Sequence, residues 1–183
     1  MQINNCHNID DFRKMAKSRI PSPLFHYIDG GADDESTLGR NTTAYDEYDL
    51  IPNGLADVAN IDLSATILGQ KVGSPLFLAP TGMNRLFHHD GERATSRAAE
   101  KYGCYYSLST LSSVSIEEIG ALTSSPKMFQ IYIHKDRGLT YELIERCKRA
   151  KFTSLCLTID TIVAGNRERD LRTGMTMPPK FTP

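Results

Sequence analysis

No apolar run in the sequence approaches the ~20 residues that a membrane-spanning helix needs. Met1 leads into polar residues, not into the apolar segment of a secretory leader. Neither a span nor a leader is expected, and peripheral membrane attachment stays open. A surplus of one charge is missing too: 21 lysines and arginines face 22 aspartates and glutamates, a net charge of −1. Nucleic acid, which wants a basic patch, is excluded as a partner on that ground. The densest basic cluster (Arg146, Lys148, Arg149, Lys151) closes a predicted helix, where it suits the helix dipole and a solvated face. There is no tryptophan, and the four cysteines (Cys6, Cys104, Cys147, Cys156) form no C-x-x-C pair. Free cysteines beside apolar runs behave as small hydrophobes. They point to a reducing, cytoplasmic setting, with the inner face of a membrane as a peripheral alternative. His88 and His89 are read as lacking acidic or cysteine partners at ligand spacing, so no metal site is expected. No stretch follows G-x-G-x-x-G or a P-loop, and no phosphate cradle is visible.

What is present is a change of rhythm. Residues 8–20 suit a short helix opened by Asn8 or Asp10, with Ile9, Phe12 and Met15 on one face and Pro21 as its stop. Pro23 to Asp29 suits a second helix. A third follows the acidic run Asp33-Asp34-Glu35 and reaches about Tyr45. Residues 65–73 resemble a hairpin turning at Gly69-Gln70. Together residues 1–74 form an expected N-terminal cap. From Pro75 onward, apolar runs start at Leu76, Cys104, Met128 and Leu155, spaced 28, 24 and 27 residues apart. A helical pattern fills each gap. Gly91–Tyr102 carries Ala94, Ala98 and Tyr102 as a stripe with Asp90 as cap, Ser115-x-x-Glu118 is a capping box, and Gly138–Ala150 aligns Leu139, Leu143, Cys147 and Ala150. Strand–helix alternation of this kind predicts an α/β fold with a parallel sheet. An eight-fold barrel needs roughly 250 residues, about 31 per unit. Residues 75–183 therefore hold four βα units: half a TIM barrel, or a complete open four-stranded sheet. Spacing does not separate the two.

Each predicted strand turns polar at its carboxyl end: Ala79-Pro80-Thr81-Gly82, Ser107 to Thr110, Gln130 to Tyr132, and Thr158 to Asp160. In a parallel array those ends share one face. The expected lining is neutral and hydrogen-bonding, which suits a large polar heterocycle. Taken singly, each residue has a plainer explanation. Serine and threonine cap helices, Tyr27 and Tyr132 fit core edges, Asp160 can satisfy its own loop, and Arg167 can be one more solvated charge beside Glu168, Arg169 and Asp170.

Six blocks occur in order: Phe25-His-Tyr-Ile-Asp-Gly-Gly-Ala32, Leu78-Ala-Pro-Thr-Gly82, Leu108-Ser-Thr-Leu111, Phe129-Gln-Ile-Tyr132 with Lys135-Asp-Arg137, Leu157-Thr-Ile-Asp-Thr161 and Gly165-Asn-Arg-Glu-Arg-Asp170. Together they resemble the FMN-dependent α-hydroxy-acid dehydrogenases and oxidases, which include L-lactate dehydrogenase, glycolate oxidase and mandelate dehydrogenase. The resemblance implies an N-terminal cap plus the first four units of a TIM (β/α)8 barrel, FMN as cofactor, and a small 2-hydroxy acid, most simply L-lactate, as substrate. Carried over by position, Tyr27 and Arg167 hold the substrate carboxylate, and Tyr132 contacts its hydroxyl or keto oxygen. A guanidinium is apt there because it grips a carboxylate with two parallel hydrogen bonds. Backbone at Ala79, Pro80 and Thr81, with side chains of Ser109, Gln130 and Thr158, binds the flavin ring. Asp160 matches the aspartate that orients a catalytic histidine and stabilises it once protonated.

The family's histidine base, its neighbouring arginine, a lysine at the flavin and the phosphate site belong to the second half of the barrel, and no histidine of this sequence matches the base. The resemblance further implies homo-oligomers in the full-length family, and it does not specify the electron acceptor (oxygen, quinone or cytochrome). His26-Tyr27 and Gly30-Gly31 resemble bacterial lactate dehydrogenases more than plant glycolate oxidases. A reading of another class is a non-catalytic half-barrel that folds only with a partner chain. An open parallel sheet has two unpaired edges, so the chain alone is expected to be poorly soluble or oligomeric.

Overall fold

A computed structural model of the chain describes residues 2–176. Asn8 opens α1 (Ile9–Arg19) by accepting the Asp11 amide at 2.8 Å, as its short polar side chain predicts. Pro21 stops that helix and leads into α2 (Ser22–Asp29), whose buried face is Leu24 and Phe25. Next, α3 (Ser36–Thr43) runs on as a 3-10 turn over Ala44–Glu47. The hairpin follows, β1 (Ala65–Ile67) against β2 (Gln70–Val72). Its turn is Leu68-Gly69, one residue earlier than expected, because a two-residue hairpin loop needs both central residues at positive φ, here +48° and +74°.

Four parallel strands and the three helices between them come next. The strands are β3 (Phe77–Leu78), β4 (Tyr105–Leu108), β5 (Lys127–Ile131) and β6 (Ser154–Leu157), interleaved with α4 (Glu92–Lys101), α5 (Ile116–Leu122) and α6 (Arg137–Arg149). All three strand pairings are parallel, in the order β3-β4-β5-β6. A doubly wound sheet reverses its order at a switch point. Sequential order without reversal is the winding of a barrel segment. The last helix, α7 (Glu168–Thr173), closes the described chain.

Compactness divides the chain elsewhere than at residues 74 and 75. One unit joins the segment up to Ala56 with the segment from Val163 onward; the other is Asp57–Ile162. The hairpin thus goes with the parallel sheet, and α7 goes with α1 to α3.

In the sheet unit the core lies between the strands and their helices: Tyr106, Leu108, Phe129 and Ile131 pack against Ala99, Ile116, Ile119 and Cys147. The in-register neighbours of Phe129 and Ile131 on β6 are Leu155 and Leu157. These remain 44% and 52% exposed, while Phe129 and Ile131 are each 2% exposed.

The stripe expected on α4 faces the wrong way. Ala94, Ala98 and Tyr102 are exposed, and the buried positions are Glu92, Ser96 and Ala99. Asp90 does not cap the helix; Gly91 occupies the cap with no side-chain bond. Leu139 of α6 is likewise exposed, and Thr140 is buried instead. The capping box holds in one half: Ser115 accepts the Glu118 amide at 3.1 Å, whereas the Glu118 carboxylate pairs with Arg93.

The buried Glu92 explains the misreading. Its carboxylate accepts the Asn84 amide at 3.1 Å, the Ser113 amide at 2.9 Å and the Ser113 hydroxyl at 2.8 Å. Burial alone pushes the carboxyl up, but these hydrogen bonds outweigh it and leave the group below its ordinary 4.5. Ionised Glu92 therefore stabilises the fold above that value, and the contribution is lost as pH falls through the lowered folded value. Glu92→Ala should destabilise the protein by about 3 kcal/mol at pH 7, since three donors lose a charged acceptor. Urea denaturation should show the mutant and wild type converging in acid; equal stability at pH 7 would contradict this role.

Candidate functional site

The carboxyl ends of the four strands carry the polar residues singled out above. Three of them form one continuous hydrogen-bonded row. Ser109, just past β4, donates its hydroxyl to Gln130 Oε1 at 3.2 Å. The same Oε1 accepts the Thr110 amide at 3.1 Å. On the other side, Gln130 Nε2 donates to Thr158 Oγ1 at 2.7 Å, just past β6. Ser109 also accepts the Leu111 amide at 3.1 Å, and Thr110 Oγ1 donates to the Gln130 carbonyl. Ser109 and Gln130 are buried, and Thr158 is half-buried. The row is neutral throughout. One Nε2 hydrogen of Gln130 and the Thr158 hydroxyl hydrogen have no partner among the described residues.

Beside this row, the loop after β3 is held tightly against the loop after β4. Met83 donates its amide to the Leu111 carbonyl at 2.8 Å. A Cβ at Gly82 would sit 2.9 Å from Leu111 Cβ and 3.3 Å from its carbonyl oxygen, so only glycine allows this approach. Ala79 and Thr81 are exposed, with the Thr81 amide donating to the Ala79 carbonyl at 2.9 Å, and Pro80 between them is half-buried. Two residues past Gln130 lies the half-buried Tyr132. Two residues past Thr158 lies Asp160, exposed and accepting no hydrogen bond among the described residues. Ser107, one strand alternation before Ser109, has a buried hydroxyl without a partner. Two open clefts of this unit lie at the opposite, starting ends of the strands. One, of about 320 Å³, includes Glu117, Gly120 and Arg149; the other, of about 490 Å³, includes Thr123, Lys127 and Lys151.

The remaining two expected residues lie in the other unit and meet there. Arg167 Cζ stands 5.2 Å from the Tyr27 ring centroid, a cation–π distance. Its Nη2 donates to the Tyr27 carbonyl, and its Nε donates to Asp170 Oδ2 at 2.7 Å. The adjacent Arg169 is not a solvated charge. Its Nη1 donates to Asp29 at 2.9 Å and its Nη2 pairs with Glu35, while Arg13 grips Asp29 as well. Hydrogen bonds from Arg13 and Arg169 hold the Asp29 carboxyl below its usual range, and the Gly31 amide, at 2.9 Å, does the same for Glu35. A Cβ on Gly30 would meet the His26 carbonyl at 2.7 Å and Arg169 Cδ at 3.1 Å. The first and last blocks quoted above thus pack together because glycine lets the arginine in. The sequence reading missed this cluster; the glycine pair beside an acidic run was the available signal.

A row of neutral hydroxyl and amide groups at one end of a parallel barrel segment suits a flat heterocycle that offers carbonyl oxygens and ring nitrogens. The model of the FMN-dependent dehydrogenase family matches residues 16–183. The chain belongs to that family. Glycolate oxidase 1 of rice (Oryza sativa subsp. indica) is 38% identical over 175 residues, 96% of this chain and 47% of that protein. L-lactate oxidase of Nostoc sp. is 43% identical over 181 residues, 97% of this chain and 50% of that protein. Among solved structures, a soluble mutant of the membrane-associated (S)-mandelate dehydrogenase from Pseudomonas putida superposes with a TM-score of 0.90 at 36% identity. It covers 97% of this chain and 51% of that one. The chain therefore spans about half the length of the relatives it matches, and its four parallel strands with their helices are the N-terminal part of their barrel.

His88, His89 and Asp90 bring one ligand atom each within 4.8 Å of one another, so an acidic partner does stand beside the histidines. Both rings are exposed, and no metal role is assigned to them.

Gln130→Leu should lower stability by about 2 kcal/mol, because the buried Ser109 hydroxyl and Thr110 amide lose their acceptor. Thermal unfolding measures it, and an unchanged midpoint would show that the row is not a structural tie.

Proposed function

We propose that this chain forms the N-terminal portion of an FMN-dependent oxidoreductase that converts L-lactate, or a similar L-2-hydroxy acid, to its 2-keto acid. The observation that carries this reading is the row Ser109–Gln130–Thr158, a ready hydrogen-bonding edge without net charge. FMN, when bound, supplies the two-electron acceptor; the protein binds, orients and polarises. In this reading the row and the backbone of Ala79, Pro80 and Thr81 hold the flavin ring. Tyr27 and Arg167 hold the substrate carboxylate, and Tyr132 contacts its hydroxyl or keto oxygen. Asp160 stabilises the protonated form of a histidine supplied by the second half of the barrel. L-lactate is favoured because the Nostoc L-lactate oxidase is 43% identical and the rice glycolate oxidase 38%.

The same reading places the protein in the cytoplasm as a homo-oligomer, with peripheral attachment to the inner face of a membrane as its variant. No helix among the described residues is long and apolar enough to cross a membrane. A second reading, a non-catalytic half-barrel that folds with a partner chain, is favoured by one observation: Leu155 and Leu157 lie open beside the buried Phe129 and Ile131.

The purified protein separates the two. Retained flavin absorbance that bleaches on anaerobic addition of L-lactate is the expected result for the enzyme. Absence of flavin, with recovery of a folded species only on adding a partner chain, would replace the first reading by the second. Thr158→Val should weaken FMN binding about fivefold, since the hydrogen bond from its free hydroxyl hydrogen, about 1 kcal/mol, is lost. Fluorescence titration reads that loss, and unchanged affinity would remove Thr158 from the flavin site.

A further inference from the structure

Arg167 is held at three points. Asp170 Oδ2 takes its Nε hydrogen at 2.7 Å, the Tyr27 carbonyl takes an Nη2 hydrogen, and the Tyr27 ring lies 5.2 Å from Cζ. The Nε/Nη2 edge is thereby occupied, and the Nη1 end has no partner among the described residues. A guanidinium is planar, so two hydrogen bonds and one ring at cation–π distance restrict its orientation. Asp170 is well placed to hold that orientation. Its side chain is only 15% exposed, and its other oxygen, Oδ1, is buried without a partner. Among the described residues the carboxylate thus makes a single hydrogen bond, the one to Arg167. A buried acid with one bond and a lone second oxygen is costly as a stability device. Its one interaction is with the residue read as the carboxylate clamp.

We propose that Asp170 is a positioning residue: it sets the plane of Arg167 so that the Nη1 end presents its hydrogens to a ligand carboxylate, without touching the ligand itself. The proposal rests on the reading of Arg167 under Proposed function. A second consequence follows from charge. Asp170 neutralises Arg167, so affinity comes from the fixed direction of the N–H groups more than from net attraction. The chemical class recognised is a small planar carboxylate, as in a 2-hydroxy or 2-keto acid.

The test compares R167A, D170A and D170N in the FMN-loaded protein that includes the second half of the barrel, with KM and kcat for L-lactate, the Kd for oxalate, and the Arg167 Nε–H signal in nitrogen-15 NMR. D170A should raise KM and the oxalate Kd about tenfold, keep kcat within about threefold, and move the Nε–H signal toward that of a solvated arginine. D170N keeps an acceptor for Nε and should recover most of the loss; because it also preserves the shape of the side chain, it carries the test if D170A does not fold. R167A should weaken both constants more than either. If R167A weakens binding and D170A does not, positioning by Asp170 is overturned and the clamp stands. If R167A leaves both constants unchanged, the clamp itself fails. A fall in kcat with constant KM in D170A would also overturn the proposal, because a positioning role acts on binding.

Discussion

The amide of Gln130 is the tie on which the chemical end of the sheet depends. In a parallel sheet the main-chain ladder stops where each strand stops, and the carboxyl ends are then free to splay. Gln130 extends the connection sideways beyond that limit. Its oxygen takes two donors from the loop after β4, and its nitrogen gives to Thr158 after β6. A glutamine suits this position because it accepts on one side and donates on the other. A charged residue there would have to be dehydrated against few counter-charges, at a cost of several kcal/mol. The neutrality of the lining therefore follows from how the lining is built, and the same groups that close the sheet are left with hydrogens to offer.

The strands were legible in the sequence because their signal is local. Short apolar runs at a pitch of 24 to 28 residues located all four strands to within two residues, and the polar ends of β4, β5 and β6 predicted the row. Reading helix faces was less secure, for a physical reason. The face of α4 that points inward carries a glutamate, and apolar periodicity cannot register a buried carboxylate whose donors come from Asn84 and Ser113 in other loops. The same holds for Arg169. It sits in a run of alternating charges that looks solvated, yet its carboxylate partners are 134 and 140 residues away in the chain. Contacts of that span leave a trace in sequence only where they impose steric demands, as at Gly30.

Two acidic-loop residues show how the long-range cluster overrides local preference. Asp33 and Glu35 both adopt positive φ, at +50° and +58°, a region that costs an ordinary side chain about 1 kcal/mol or more. Asp33 is held by a two-way exchange with Asn166: its own amide donates to the Asn166 carbonyl, and the Asn166 side chain donates back to its carboxylate. Glu35 is held by Gly31 and Arg169. Within the acidic run the strained residues are thus those whose side chains are fixed by the segment 166–169, and the left-handed backbone there interrupts any helix.

Charge balance in that unit decides what Arg167 can do. Three arginines, Arg13, Arg167 and Arg169, are matched by three carboxylates, Asp29, Glu35 and Asp170. Arg13 is bound by both oxygens of Asp29, and Arg169 divides its two terminal nitrogens between Asp29 and Glu35. An arriving anion meets no net positive charge from this set. It can bind only where a hydrogen-bonding edge is already fixed and unshared, and Arg167 offers one because a single carboxylate oxygen and a main-chain carbonyl suffice to hold its other side. A lysine at this position would keep the charge and lose the edge, since an ammonium has no plane to be oriented. In the proposed role of Arg167 as a carboxylate clamp, selection is then a matter of direction, with charge supplying only what the neutralised cluster leaves over.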